Sequence, residues 1–202
     1  MSGAAVEVHV TAMRLEGPDI VRCELHAVDG RALPPAGPGA HGGLLLPNGL
    51  TRPYSVAANE EGGYVIAVRR QASSRGGSAH VCDRLRVGDR LQVGQLRNHF
   101  PLVQDVPHTH PPAGGLATPP PLPMARALQR AGRDWTLHCV ARDAASVPFV
   151  RGLRALGNRV RIHSTRSGGR PDLVGLVRDA PAESHLYCCG PTSMLQDFAA
   201  AS

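Results

Sequence analysis

Arg52-Pro53-Tyr54-Ser55 sets a guanidinium, an aromatic ring and a hydroxyl at positions i, i+2 and i+3. Those groups can meet a phosphate, a flat ring and a ring heteroatom respectively. Taken alone, the tetrapeptide more commonly reads as a surface arginine beside a core tyrosine. Arg75-Gly76-Gly77-Ser78 follows it. Its adjacent glycines bare backbone N–H groups, and Ser78 is placed to cap a helix whose positive end attracts phosphate. Alone, this stretch is a flexible turn with an ordinary cap. Both together, in this order and among strands, are far more specific. Near the end of the chain, Cys189-Gly190-Pro191 joins a strand to a helix, and Pro191 suits a first helical turn because its missing N–H is harmless there.

The elements that must position these groups differ between the two halves. In the first hundred residues Val6, Val8 and Val10 alternate with polar or small residues, as do Val21, Cys23 and Leu25. Asp29-Gly30 ends one run, and Pro47-Asn48-Gly49 after Leu44–Leu46 predicts a hairpin with positive φ at both Asn and Gly. Tyr64–Val68 and Leu91–Leu96 read as further strands, with a short helix over Ala79–Leu85. Strands at this spacing predict a small closed antiparallel barrel.

From about residue 122 helices and strands alternate. Met124, Ala127, Leu128 and Ala131 share one helical face; Phe149, Leu153 and Leu156 make a second stripe; Leu173, Leu176 and Val177 suit a third helix. Trp135–Val140, Val160–His163 and His185–Cys189 read as the strands between and after them. That order predicts a parallel sheet, which binds ligands at the carboxyl ends of its strands. A site is expected near Ala141–Asp143 and Cys189–Pro191. The boundary falls after residue 103, with a barrel over 1–103 and an α/β domain over 104–202.

Composition excludes several other functions. A 42% hydrophobic and 19% charged chain is ordinary for a globular protein. No apolar run approaches the roughly 20 residues that cross a bilayer. Met1–Val10 lacks the basic segment and apolar core of a secretory signal, so a cytoplasmic, membrane-free protein is expected. The formal charge is +6 and every basic residue is arginine, yet the arginines are dispersed and aromatics make up only 3%. A basic surface for anionic cofactors or an acidic partner is therefore expected rather than a nucleic-acid interface. The five cysteines contain no CxxC pair, and Cys23, Cys82 and Cys139 read as small core side chains. His108-Thr109-His110 supplies only two ligands, so no metal site is expected there.

The ordered set Leu33-Pro34-Pro35, Pro38-Gly39-Ala40-His41, Asn48-Gly49, Arg52–Ser55, Tyr64–Val68, Gly76-Gly77-Ser78, Gly88-Asp89, Arg97–Leu102 and Tyr187–Pro191 resembles one family. It is that of the reductase components of the phthalate dioxygenase and vanillate O-demethylase systems. The resemblance runs from about Val10 to the end of the chain. It implies an oxidoreductase with FMN in the barrel and NADH, rather than NADPH, on the α/β domain. It also implies a plant-type ferredoxin domain that passes single electrons to an oxygenase. By position, Arg52 and the Gly76-Gly77-Ser78 loop would hold the FMN phosphate. Tyr54, beside Pro53, would lie against the ring, with Ser55 at its redox-active edge. Ile66, Ala67 and Val68 would form part of the ring pocket, and Cys189, Gly190 and Pro191 would approach the nicotinamide.

Two departures from the family pattern follow. Where the family has Ala-Gly-Gly-Ile-Gly-Ile-Thr-Pro, this chain reads Ala113-Gly114-Gly115-Leu116-Ala117-Thr118-Pro119. Gly114, Gly115 and Thr118 would still serve the nucleotide, but Ala117 replaces a glycine. Pro111 and Pro112 precede the loop, where a central strand cannot use them as donors. A reading-frame slip and a genuine linker with exposed His108 and His110 both account for this stretch. Arg142 and Asp143, beside a strand end, argue in opposite directions over the coenzyme's 2′-phosphate. The chain stops at Ser202 without CxxxxCxxC spacing, so no iron–sulfur cluster is expected on it, and electrons would leave through a ferredoxin or oxygenase partner. A flavin-binding remnant with a disabled nucleotide domain and a stand-alone flavin reductase are the alternatives.

Overall fold

The computed structural model describes residues 5–73, 75–103, 106, 108–110, 112–114 and 121–201. It divides into two compact units, Met1–Pro101 and Leu102–Ser202. The first is a closed antiparallel barrel of β1 (Val6–Gly17), β2 (Ile20–Ala27), β3 (His41–Leu45), β4 (Thr51–Glu60), β5 (Gly63–Arg69) and β6 (Arg90–Val93), in the order β1-β2-β5-β4-β3-β6. Helix α1 (Gly77–Asp83) lies between β5 and β6 in sequence. The expected alternation holds: Val8 and Val10, then Cys23 and Leu25, then Tyr64, Ile66 and Val68 point into one core, joined by Val81 and Leu85. Each such aliphatic side chain contributes about 1.5–3 kcal/mol of burial.

The β3–β4 hairpin forms, but with a different turn from the one its Asn-Gly pair suggests. Gly49 N–H donates to the Leu46 carbonyl and Leu46 N–H to the Leu50 carbonyl, both at 2.9 Å. Only Gly49 has positive φ (+79°); Asn48 does not. Pro47 favours the first central position of a type I turn, and the glycine then closes a three-residue loop. Asn48 instead accepts a hydrogen bond from Leu50 N–H at 3.3 Å.

Strand β4 changes partners along its length. Thr51–Ser55 pairs with His41–Leu45, whereas Val56–Glu60 pairs with Gly63–Ile66, the exchange falling beside a bulge at Val56/Ala58. Bulged corners of this kind let a small barrel close. Because the β4–β5 ladder stops at Val56 and Ile66, no ladder joins Arg52–Ser55 to Ala67–Arg69.

The second unit is a parallel sheet covered by helices. Its elements are β7 (His108–His110), β8 (Pro112–Gly114), α2 (Pro121–Arg130), β9 (Asp134–Trp135), β10 (Leu137–Ala141), α3 (Val150–Arg154), β11 (Val160–Ser164), α4 (Thr165–Gly168), α5 (Leu173–Arg178), β12 (His185–Leu186) and α6 (Thr192–Ala201). The ladders run β11-β10-β8 and β12-β7-β9. Pro112 keeps the register of the preceding strand: His108 lies opposite Asp134 and Pro112 opposite His138. His108 is buried in β7 and bonds Asp134 Oδ2 through Nδ1 at 2.9 Å, which rules out an exposed linker at that residue. Leu122, Met124, Ala125 and Leu128 bury the inner face of α2, and Trp135 and Leu137 lie in the interior. The Phe149–Leu156 stripe yields only the five residues of α3, and of His185–Cys189 the first two form β12 while Cys189 makes a bridge.

His138 and His163, on neighbouring strands, stack with centroids 5.2 Å apart, and Nδ1 of one bonds Nε2 of the other at 3.1 Å. One ring must donate and the other accept, so the accepting imidazole must be neutral. Burial, then Arg161, lowers the His163 pKa from 6.5. A depressed pKa contributes stability that is present above the unfolded value and is lost as pH falls through the folded one. The urea midpoint of the second unit, followed by Trp135 fluorescence, is therefore expected to drop below pH 6.5. His163→Phe should flatten that drop, and an unchanged profile would remove His163 as its source.

Candidate functional site

The gap beside the β4 corner gathers the first group of expected site residues. Arg52 and Tyr54 share the face of β4 that leads to Val56 in the core, while Pro53 and Ser55 point the other way. Arg52 crosses towards the glycine loop: its guanidinium donates to the Arg75 carbonyl at 3.1 Å and to the Thr51 carbonyl at 2.8 Å. A Cβ on Gly77 would lie 2.6 Å from Arg52 Cγ and 3.1 Å from its Nε, so only glycine admits the arginine here. Two of the five guanidinium donors hold carbonyls, leaving the rest for an anion.

Tyr54 packs at the edge of the core beside Cys82. Burial, reinforced by Cys82, pushes its pKa up to about 12, so it stays a neutral aromatic surface. Ser78 does not cap α1. The helix begins at Gly77 behind Gly76 (φ +89°), and Ser78 Oγ accepts a hydrogen bond from Gln71 N–H at 3.2 Å. The serine therefore ties the loop to its own approach strand. Ile66 and Val68 face the barrel core at 2% exposure, and of that trio only Ala67 turns outward. Arg52, Tyr54, Gly76 and Gly77 thus come together, and the side chains of Ile66 and Val68 do not join them. Cys23 is sealed in the core, its pKa raised to about 12 by burial.

The second unit carries a cavity of about 490 Å³ at the carboxyl end of β10. Val140, Ala141 and Arg142 form its strand-end wall, Thr165 and Arg170–Val174 its second wall, and Pro191 with α6 its third. Arg142 and Pro191 are thus brought to one cavity, as expected for a parallel sheet. Pro191 stands just before α6, and its carbonyl accepts from Met194 N–H at 2.9 Å. Cys188 is half-buried and free, with its pKa raised to about 11 by burial and by Cys189. Gly114 ends β8 opposite Val140; Gly115 and Thr118 lie outside the described residues. Arg170, Asp172 and Asp197 are cavity residues that sequence reading missed. Asp172 carried a signal, since it immediately precedes the apolar Leu173 and caps α5 by accepting from Gly175 N–H at 2.9 Å.

A six-stranded antiparallel barrel followed by a parallel-sheet unit defines the ferredoxin-reductase-like class. The solved structure of phthalate dioxygenase reductase superposes with a TM-score of 0.91 at 30% identity, covering 98% of this chain and 64% of that one. Among curated proteins, the phenoxybenzoate dioxygenase subunit beta of Ectopseudomonas oleovorans is 37% identical over 201 residues, covering 98% of this chain and 63% of that protein. The vanillate O-demethylase oxidoreductase of Pseudomonas sp. strain HR199 is 39% identical over 193 residues, covering 92% and 61%. No protein-family model matches. Over the part that it spans, the chain belongs to the phthalate dioxygenase reductase and vanillate O-demethylase reductase family. It spans less than two thirds of the length of these relatives.

Proposed function

We propose that the chain is the flavin- and nucleotide-binding core of an oxygenase reductase, passing electrons from a nicotinamide dinucleotide to FMN and on to an iron–sulfur partner. The observation that carries this reading is the Arg52 guanidinium laid against Gly77 beside the Tyr54 ring. That cradle fits a terminal phosphate next to a flat heterocycle, which favours FMN. Bound flavin would supply the redox chemistry, taking two electrons from reduced nicotinamide and releasing them singly.

The protein's own work is positional. Arg52 would hold the phosphate through its free donors, and Tyr54, neutral throughout the physiological range, would present a ring face. Ser55, on the opposite side of β4, would serve the heteroatom edge. In the second unit Gly114, Arg142, Cys189, Gly190 and Pro191 would form the nucleotide site, for which the family resemblance implies NADH. The partner would be a ferredoxin or an oxygenase component, and the setting the cytoplasm. No helix among the described residues is long and apolar enough to cross a membrane.

The test is anaerobic mixing of FMN-loaded protein with reduced nicotinamide dinucleotide. Loss of the yellow absorbance is expected. Stoichiometric FMN that stays oxidised would leave a flavin-binding remnant instead, and failure to bind flavin would overturn the reading at its base.

A further inference from the structure

The geometry points to Tyr187 as a positioning residue for the transfer between reduced nicotinamide and flavin, acting through the hydrogen bond that its hydroxyl accepts from Val103 N–H at 2.6 Å. This rests on the reading that the second unit carries the nicotinamide and the barrel the flavin. Val103 is the second residue of the unit that begins at Leu102. The bond therefore ties the chain's entry into that unit to the residue that follows its last strand.

Tyr187 directly follows β12, whose His185 and Leu186 pair in parallel with Thr109 and His110 of β7. Its side chain is buried and its ring lies against the His185 imidazole, with centroids 5.4 Å apart, as residues on one face of an extended chain do. The hydroxyl is thereby held in place. Val103, at the other end of the bond, belongs to neither a strand nor a helix, so its N–H has no ladder to join. Phenylalanine would fill the space of the ring. What the hydroxyl adds is a hold on the joining chain at Val103, ahead of the first strand at His108. Directly beyond Tyr187 come Cys188 and Cys189-Gly190-Pro191, and Pro191 lines the cavity. One side chain thus holds both the entry of the unit and the approach to its expected nicotinamide loop. Two groups carried on separate units meet at a rate that depends on the slack in the chain joining them. Loss of the hydroxyl lengthens the free part of that chain without removing a group assigned to either cofactor.

Tyr187→Phe in the FMN-loaded full chain tests this by two measurements. Hydrogen exchange at the Val103 amide is expected to quicken by about three- to tenfold, as the loss of one neutral hydrogen bond implies, with the β7 amides unchanged. Anaerobic bleaching at saturating NADH should slow by a similar factor, while the NADH concentration for half-maximal rate and the affinity for FMN stay as they were. Val103→Pro removes the donor instead, and the double variant should bleach no more slowly than either single one. An unchanged bleaching rate, or two substitutions whose effects simply multiply, would overturn the inference. A shift in the half-maximal NADH concentration with no change in Val103 exchange would make Tyr187 part of the nucleotide site and overturn it equally. Failure of the unaltered chain to bleach at all would remove the functional reading, and the positioning role with it, even if Val103 exchange responds.

Discussion

Arg52→Ala should weaken FMN by one to two orders of magnitude and leave riboflavin nearly unchanged. The substitution removes the side chain whose Cγ and Nε pack against Gly77. A hydrogen bond to a charged group contributes about 1.5–3 kcal/mol, which sets the size of the loss. Riboflavin has no phosphate to lose, and Tyr54, which would meet the ring, stays in place. Titration of both ligands by quenching of flavin fluorescence gives the two constants. Equal weakening would mean that Arg52 supports the loop rather than the anion.

Trp135→Ala is expected to cost about 3–5 kcal/mol of stability, the range for truncating a large buried aromatic. Trp135 is 1% exposed inside the parallel-sheet unit, with the Arg159 guanidinium 5.8 Å above its ring. Its indole Nε1 is buried with no partner among the described residues. Phenylalanine would keep much of the packing and remove a donor whose desolvation itself costs about 1–3 kcal/mol. Trp135→Phe should therefore be far milder than Trp135→Ala in urea unfolding followed by far-ultraviolet circular dichroism. If the two cost the same, the indole nitrogen contributes more than packing does.

Much of the barrel is legible in the sequence because alternation writes it directly. Val8/Val10, Cys23/Leu25 and Ile66/Val68 each show the period of two, and each pair lies in the core. The same alternation works against part of the expected site, since it turns Ile66 and Val68 inward. Ser78 misleads for a local reason: a serine after two glycines looks like a cap, but Gly76 already takes the left-handed turn and the helix starts one residue earlier. The prolines at 111 and 112 suggest a broken strand, yet Pro112 pairs in parallel with His138 in the register that sets His108 opposite Asp134. Arg170 and Pro171 in the cavity wall were hidden because they resemble an ordinary solvated loop ahead of the expected helix. Only the folded sheet shows that they return over the end of β10.

The closure of the barrel has a consequence for how the chain is made. Strand β1 completes the cylinder by pairing with β6, Val6 opposite Val93. Emerging from a ribosome, β1 can take β2 at once, but its other edge must wait for nearly the whole barrel to be synthesised. Such long-range pairings slow folding, and an unpaired edge invites association with other chains. Nascent chains ended before Arg90 should therefore aggregate or recruit chaperones, whereas those that include Val93 have every strand needed to seal the cylinder.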